Sequence, residues 1–329
     1  LGKGVVSGAC HASAFVAAAF GQQAAIQNGR VNTRQVTSIA AEVHARRSTA
    51  DPVWIVWSVP MVDGDRSPCS TWNDGRTAVR GERLEPRPFA SKAPWVAAPA
   101  GPVQLESGTT LLVLLRVISG QLDRLRVVGD DCPIDAGGRD VYRLTGITPT
   151  ESVRFLETLA HPVDLAVSSH RRLAESAVSA LSYHRDSTAT AALDRLTTAE
   201  TDRALRRQAA VALAATRGTY GFERVTALLK SETDRTVREG LVAALSDSPQ
   251  PAATDALSTL ARTDPDAGVR GEAAYRYIRR AGQAAIGTAT ALLSSEMDDA
   301  VKRRVVAGLG TLPPGVSTPI LIDVAKTNG

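Results

Sequence analysis

Asp202-Arg203-Ala204-Leu205-Arg206, Asp234-Arg235-Thr236-Val237-Arg238, Asp266-Ala267-Gly268-Val269-Arg270 and Asp298-Asp299-Ala300-Val301-Lys302 stand 32 residues apart. Each stretch begins with an aspartate, places an aliphatic residue three positions on, and follows it with a base. A fixed period of this size means stacked copies of one supersecondary unit. Other columns keep the same register: Leu213, Leu245, Tyr277 and Leu309 form one, and Leu228, Leu260, Leu292 and Val324 another. Extending backwards reaches Leu173, Leu181 and Leu196. A degenerate first copy therefore begins near Ser169, with His170 in the aspartate column and Ala174 in the base column. The units read as 169–200, 201–232, 233–264, 265–296 and 297–328, five in all.

Each unit reads as two helices. Leu205, Ala209, Val211, Ala212 and Leu213 recur at helical spacing, a break follows at Arg217-Gly218, and Phe222, Val225, Leu228 and Leu229 resume the pattern. Pro249 to Pro251, Gly282 and Pro313-Pro314 mark the same break in later copies. No unit can bury its apolar stripe alone, so the stripes must meet between units. An aspartate at a helix start satisfies free backbone N–H groups and suits the positive end of the helix dipole. The base four residues on lies one turn along the same face. Asp202, Arg206, Asp234, Arg238, Asp266, Arg270, Asp298 and Lys302 are accordingly expected to form a structural ladder between neighbouring units.

The Asp-x-x-Val-Arg signature, as Asp234 to Arg238 and Asp266 to Arg270, resembles HEAT-like repeats of the short bacterial kind, also found in phycobilisome-lyase-type proteins. The likeness covers about half the chain. It implies an all-α solenoid of helix pairs that mediates protein–protein contacts. A few proteins of that kind are bilin lyases, but the repeat alone does not carry that activity. A looser resemblance joins Trp54 to Pro60, the segment Asp131 to Gly138 and the array to uncharacterised exported proteins of soil bacteria such as acidobacteria. It implies export and this pairing of domains.

Aromatic residues make up 4% of the chain, and all four tryptophans (Trp54, Trp57, Trp72 and Trp95) precede the repeats. That shift marks two kinds of structure. The net charge of +4 is small, and acids and bases interleave along the helices as solvated faces do, which argues against a nucleic-acid groove. Residues 1–21 read as a signal peptide: Lys3, a small apolar run from Gly4 to Phe20, and a cleavage site at Ala19-Phe20-Gly21. The competing reading is a buried Ala-rich helix. No other stretch is long and apolar enough to span a membrane. A periplasmic or secreted location follows if the signal is real, and a cytoplasmic one if it is not. Cys10 leaves with the signal, and Cys69 and Cys132 then remain to pair in an oxidising compartment. Two free thiols are the alternative.

Residues 22–147 read as a mixed α/β domain in which strands dominate, so the whole chain is a strand-rich α+β domain followed by the solenoid. Asn28-Gly29 is a turn, Ser38 to Arg47 a short helix, and Val53 to Val62 a buried strand. Leu111 to Val117, Ser119-Gly120 and Leu122 to Val128 form a hairpin. Asn73 to Pro102, rich in Gly, Pro and Arg, reads as irregular. Residues 148–168 read as a connector helix opened by the capping box Thr148-Pro149-Thr150-Glu151.

Catalytic motifs are missing from the sequence: it has neither a Gly-x-Ser-x-Gly elbow nor a phosphate loop. None of the five histidines stands at a metal spacing, and His170 and His184 read as surface residues. Asp130, Asp131, Asp135 and Asp140 read as a polar turn and as the first place to look for a cation. No catalytic, metal or cofactor residues are assigned. The expected function is a non-enzymatic interaction scaffold for a protein partner outside the cytoplasm. Positions that vary between copies are its candidate contacts: Tyr220, Phe222, Arg224, Tyr275, Arg279 and Arg280. Two other readings stay open. One is an enzyme or ligand-binding site within 26–147 with the repeats as a docking arm, and the other a nucleic-acid-binding array.

Overall fold

The computed structural model describes residues 26–63, 68–73, 78–86, 108–162, 164–199 and 202–327. The segment 1–21, Trp95 and the side chain of Trp72 lie outside the described residues.

The N-terminal region is built on strands. They are β1 (Ile26–Gln27), β2 (Arg30–Gln35), β3 (Val53–Pro60), β4 (Thr71–Asn73), β5 (Ala78–Arg80), β6 (Glu82–Arg83), β7 (Thr110–Ile118), β8 (Gln121–Gly129), β9 (Ile134–Asp135) and β10 (Asp140–Thr145). The main sheet has the order β2-β10-β3-β7-β8; β10 runs parallel to β2 and β3, and the β3, β7 and β8 pairings are antiparallel. Positive φ at Ser119 (48°) and Gly120 (76°) makes the two-residue turn that joins β7 to β8. A short parallel sheet, β1-β9-β6, and the β4–β5 ribbon complete the region. Strand β4 ends at Asn73, the first residue of the stretch expected to be irregular, and β5 and β6 lie inside it.

Strands β3 and β7 are buried on both faces, as their unbroken apolar runs require. One face sets Trp54, Val56, Leu112, Leu114 and Val141 against Leu84, Ile134 and Cys132. The disulfide Cys69–Cys132 closes that side, with Cα atoms 5.5 Å apart. The other face, with Ile55, Trp57, Val113 and Leu115, belongs to a core that continues without interruption into the helices.

Three helices meet that second face: α1 (Ile39–Ala45), α2 (Pro149–Ala160) and α3 (Ser168–Tyr183). Thr148 caps α2, its hydroxyl accepting from Glu151 N at 3.2 Å. The expected box closes differently, because Glu151 Oε1 accepts from Ile39 N at 3.1 Å, the start of α1. The acid thus ties two helices together rather than capping its own.

Among the described residues, five helix pairs follow α2. They are α3 with α4 (Ser187–Ala199), α5 (Arg203–Thr216) with α6 (Gly218–Ser231), and α7 (Arg235–Ser246) with α8 (Ala252–Thr263). The last two are α9 (Ala267–Ala281) with α10 (Ile286–Ser295), and α11 (Asp299–Leu309) with α12 (Pro314–Thr327). A 3-10 turn, Gly282–Ala285, separates α9 from α10. The first helices pack on one another down the stack, α3 on α5, α5 on α7, α7 on α9 and α9 on α11, while the second helices pack mainly on first helices. Small buried residues such as Ala209, Ala210, Ala212 and Ala214 allow this close approach. Within a pair the approach is tightest at Gly221 of α6, where an added Cβ would fall 1.9 Å from Leu213 O. The more closely spaced first-helix layer is the inner side of the stack's curvature.

A candidate protein-binding face on the helical array

Each aspartate of the repeat column caps a first helix. Asp202 Oδ1 accepts from Ala204 N and Leu205 N at 3.0 Å, Asp234 from Val237 N at 3.1 Å and Asp266 from Val269 N at 3.0 Å. Asp298 accepts from Ala300 N at 2.8 Å and from Val301 N. Replacing Asp234 with alanine is expected to cost about 1 kcal/mol, the usual worth of such a cap, measured by urea unfolding. An unchanged midpoint would refute the capping role.

The bases of the column do not pair with those aspartates, which corrects the expected ladder. Arg206 pairs with Glu232, Arg238 with Asp264 at 2.6 Å and Arg270 with Glu296 at 2.8 Å, each acid lying at the end of the same unit. These acids turn their second oxygen to the hinge: Glu232 Oε1 accepts from Asp234 N, Asp264 Oδ1 from Asp266 N and Glu296 Oε1 from Asp298 N. One carboxylate therefore joins a base of its own unit to the chain entering the next. The bond from Arg270 holds Glu296 down to a pKa of about 2. For Lys302 the corresponding partner position, 328, lies outside the described residues. The cap aspartates receive a different row of bases, from the preceding unit: Arg171 to Asp202, Arg203 to Asp234 and Arg235 to Asp266. A carboxylate capping its own helix already points along that helix, so the guanidinium that can reach it comes from the neighbour. Glu232, Asp264 and Glu296 are themselves 32 residues apart, a signal that lay in the sequence unread.

Two more arginines pin turns. Arg217 donates to Ser182 O, Leu181 O and His184 O at 2.9–3.1 Å. Arg280 donates to Thr254 Oγ1, Ser246 O and Gln250 O, all at 2.9 Å. Arg280 is thereby spent inside the array and does not face a partner. Arg224 pairs with Asp194 on α4, and Phe222 packs against the core. Tyr220 stands exposed, but on α6 in the second-helix layer. The six candidate contacts therefore do not form one site: Tyr220, Phe222 and Arg224 lie on α6, and Tyr275 and Arg279 on α9.

Around Tyr275 the structure gathers residues that sequence reading passed over. The guanidinium carbons of Arg304, Arg279 and Arg276 lie 5.3, 5.6 and 5.9 Å from the centre of its ring. Beneath them Glu272, almost fully buried, accepts from Arg276 at 2.7 Å and from Arg304. Arg279 is exposed and has no carboxylate partner among the described residues. This patch is the densest part of a wider asymmetry. The first helices carry fourteen arginines and lysines against four carboxylates, and the second helices five against four. The balancing acids sit at the hinges. Interleaved along the chain, the charges are sorted in space.

Residues 191–278 match the family profile for HEAT repeats. The match runs from α4 into α9, and the helix pairs on either side of it continue the same stack. No match to the chain is found among curated proteins.

At the seam with the sheet, His184 is fully buried, which corrects its reading as a surface residue. Trp57 Nε1 donates to Ser152 Oγ at 2.7 Å, and Ser152 Oγ lies 3.0 Å from His184 Nε2. Serine beside histidine has the outline of a nucleophile and its base. Here, however, Ser152 is fully buried, its oxygen is occupied by the indole, and His184 Nδ1 has no partner among the described residues. Among the described residues Ser152 and His184 expose no surface, and the chain of bonds joins β3, α2 and the end of α3. Backbone bonds reinforce the join, from Val62 N to Tyr183 O at 2.8 Å and from Arg185 N to Pro60 O at 3.1 Å. The four aspartates near Cys132 are dispersed rather than convergent: Asp131 bonds Arg80, Asp135 bonds Asn28, and Asp140 bonds Arg30.

Proposed function

We propose that this chain is a protein-interaction scaffold that works outside the cytoplasm. The observation that carries the reading is the continuous first-helix face, an inner surface with sorted charge in a stack whose residues 191–278 match HEAT repeats. Arrays of this kind bind by presenting many side chains from a stiff support. The sheet region packs against the start of the array through α2 and α3. The disulfide and the resemblance to exported repeat proteins support an oxidising compartment.

Two measurements test the reading. Crosslinking of the full chain in its own cells, followed by mass spectrometry, is expected to recover a specific protein attached through α5, α7, α9 or α11. Recovery of none, or attachment only through the second-helix layer, removes the scaffold reading. Alkylation of free thiols in freshly lysed cells is expected to leave Cys69 and Cys132 unlabelled and the protein in the envelope or external fraction. Labelling of both in a cytosolic fraction removes the compartment.

A further inference from the structure

We propose that helices α9 and α11 form the docking site for an acidic, extended segment of that protein partner, with Tyr275 at its centre. The proposal rests on the scaffold reading and adds the chemistry of the ligand.

The charge on this stretch of the inner face is only partly neutralised from within: Glu272 serves both Arg276 and Arg304, and Arg279 has no carboxylate partner among the described residues. In the earlier units Arg171, Arg203 and Arg235 each reach a cap aspartate of the next unit. At α9 and α11 that column changes to Ala267 and Asp299, and bases stand instead further along the two helices, at Arg276, Arg279, Arg303 and Arg304. Arg276, Arg279 and Arg304 converge on one ring with Glu272 as the carboxylate they share, and on α11 exposed Arg303 follows Asp299 by one turn. Like charges held this close repel one another, and a ligand that brings carboxylates relieves the repulsion while making paired, charge-assisted bonds.

The shape agrees with a chain of carboxylates more than with a nucleic-acid backbone. The positions equivalent to Tyr275 in the neighbouring units are Ala243 and Ala307, so the ring is the one aromatic among small residues in that column. The patch is compact, and Glu175 and Glu239 interrupt the basic face in the first and third units. A nucleic acid needs an unbroken basic track to follow its phosphates. A short acidic segment needs only a local cluster, with an aromatic surface for one apolar side chain.

The test uses the full chain and a fluorescent peptide of alternating glutamate and serine, read by anisotropy at low and at near-physiological salt. Binding is expected at low salt, with loss as salt rises. The double variant Arg279→Glu, Arg303→Glu is expected to bind about tenfold more weakly or worse. Arg262→Glu, on exposed α8 of the other layer, is expected to bind as the unaltered protein does. Both variants alter exposed side chains, and an unchanged thermal midpoint shows that the fold is kept. Absence of binding by the unaltered protein, an equal loss in Arg262→Glu, or tighter binding of a short single-stranded oligonucleotide overturns the proposal. If crosslinking still recovers a partner through the first helices in those cases, the scaffold reading survives and only the acidic-segment assignment falls.

Discussion

Reducing the Cys69–Cys132 disulfide is expected to cost the folded chain about 4 kcal/mol. The bond closes a loop across a sequence separation of 63. In the chain-entropy description, that length of loop, once released, gives the unfolded state about this much extra freedom. The loop holds most of the irregular sequence of the N-terminal region together with β7 and β8, so little else restrains it in the unfolded chain. In the fold, Cys132 is buried beside Trp54 and Ile134, and Gly129 N donates to Pro68 O at 2.8 Å to hold the two segments together. Against a typical total stability of about 5–15 kcal/mol, the loss is large. Urea unfolding with and without reductant, repeated on Cys69→Ser, Cys132→Ser, measures it. Equal midpoints in all three states would show that the bond does not stabilise the fold.

Acidification from neutral pH toward pH 4 is expected to remove about 3 kcal/mol through His184 alone. Burial, aided by the nearby Arg217 and opposed by Asp186, lowers its pKa from 6.5 to about 4. The unfolded chain therefore takes up a proton near 6.5, and the folded chain resists it until about 4. Between those values the unfolded state binds more protons, so stability falls as pH falls through this window and is fully present above it. A shift of this size corresponds to about 3 kcal/mol. Carboxylates held low by arginines, such as Glu296, act in a separate window, losing their contribution below the ordinary carboxylate range as pH falls toward 2. Unfolding free energies of the native protein and of His184→Gln, compared across about pH 7 to pH 4, isolate the effect. The variant should show a flatter slope in that interval, and an identical slope would rule out His184 as its source.

The two predictions rest on residues whose importance was unequally legible. Cys69 and Cys132 were expected to pair if Cys10 leaves with a signal, with two free thiols as the alternative, and the structure joins them. His184 could not be placed, because it sits at the end of α3 in a degenerate first unit and is buried only because β3 lies against it. Strand β10 escaped for a similar reason. Asp140 to Thr145 is short and mixes charged with apolar residues, and it becomes a strand by insertion between β2 and β3, far away in the sequence. The hairpin β7–β8 and the start of α1 were legible because local signals suffice for them: a turn dipeptide with positive φ, and Ser38 at the cap. For the binding face, Tyr275 and Arg279 stood out as departures from the repeat. Arg304 did not, since only the packing of α9 on α11 brings it to the Tyr275 ring.

By itself the sequence determined the repeat, the helix pairs, the capping aspartates and the strand-rich character of the first region. All of these follow from periodicity and near-neighbour chemistry, which act over one or two turns of chain. Only the tertiary structure decided which base meets which acid, which arginines are consumed in pinning turns, and where charge accumulates. Along the chain acids and bases alternate closely and nearly cancel. Folding places successive first helices side by side and gathers the acids at the hinges, so that charges 32 residues apart become neighbours. A balanced sequence thereby acquires a basic inner face.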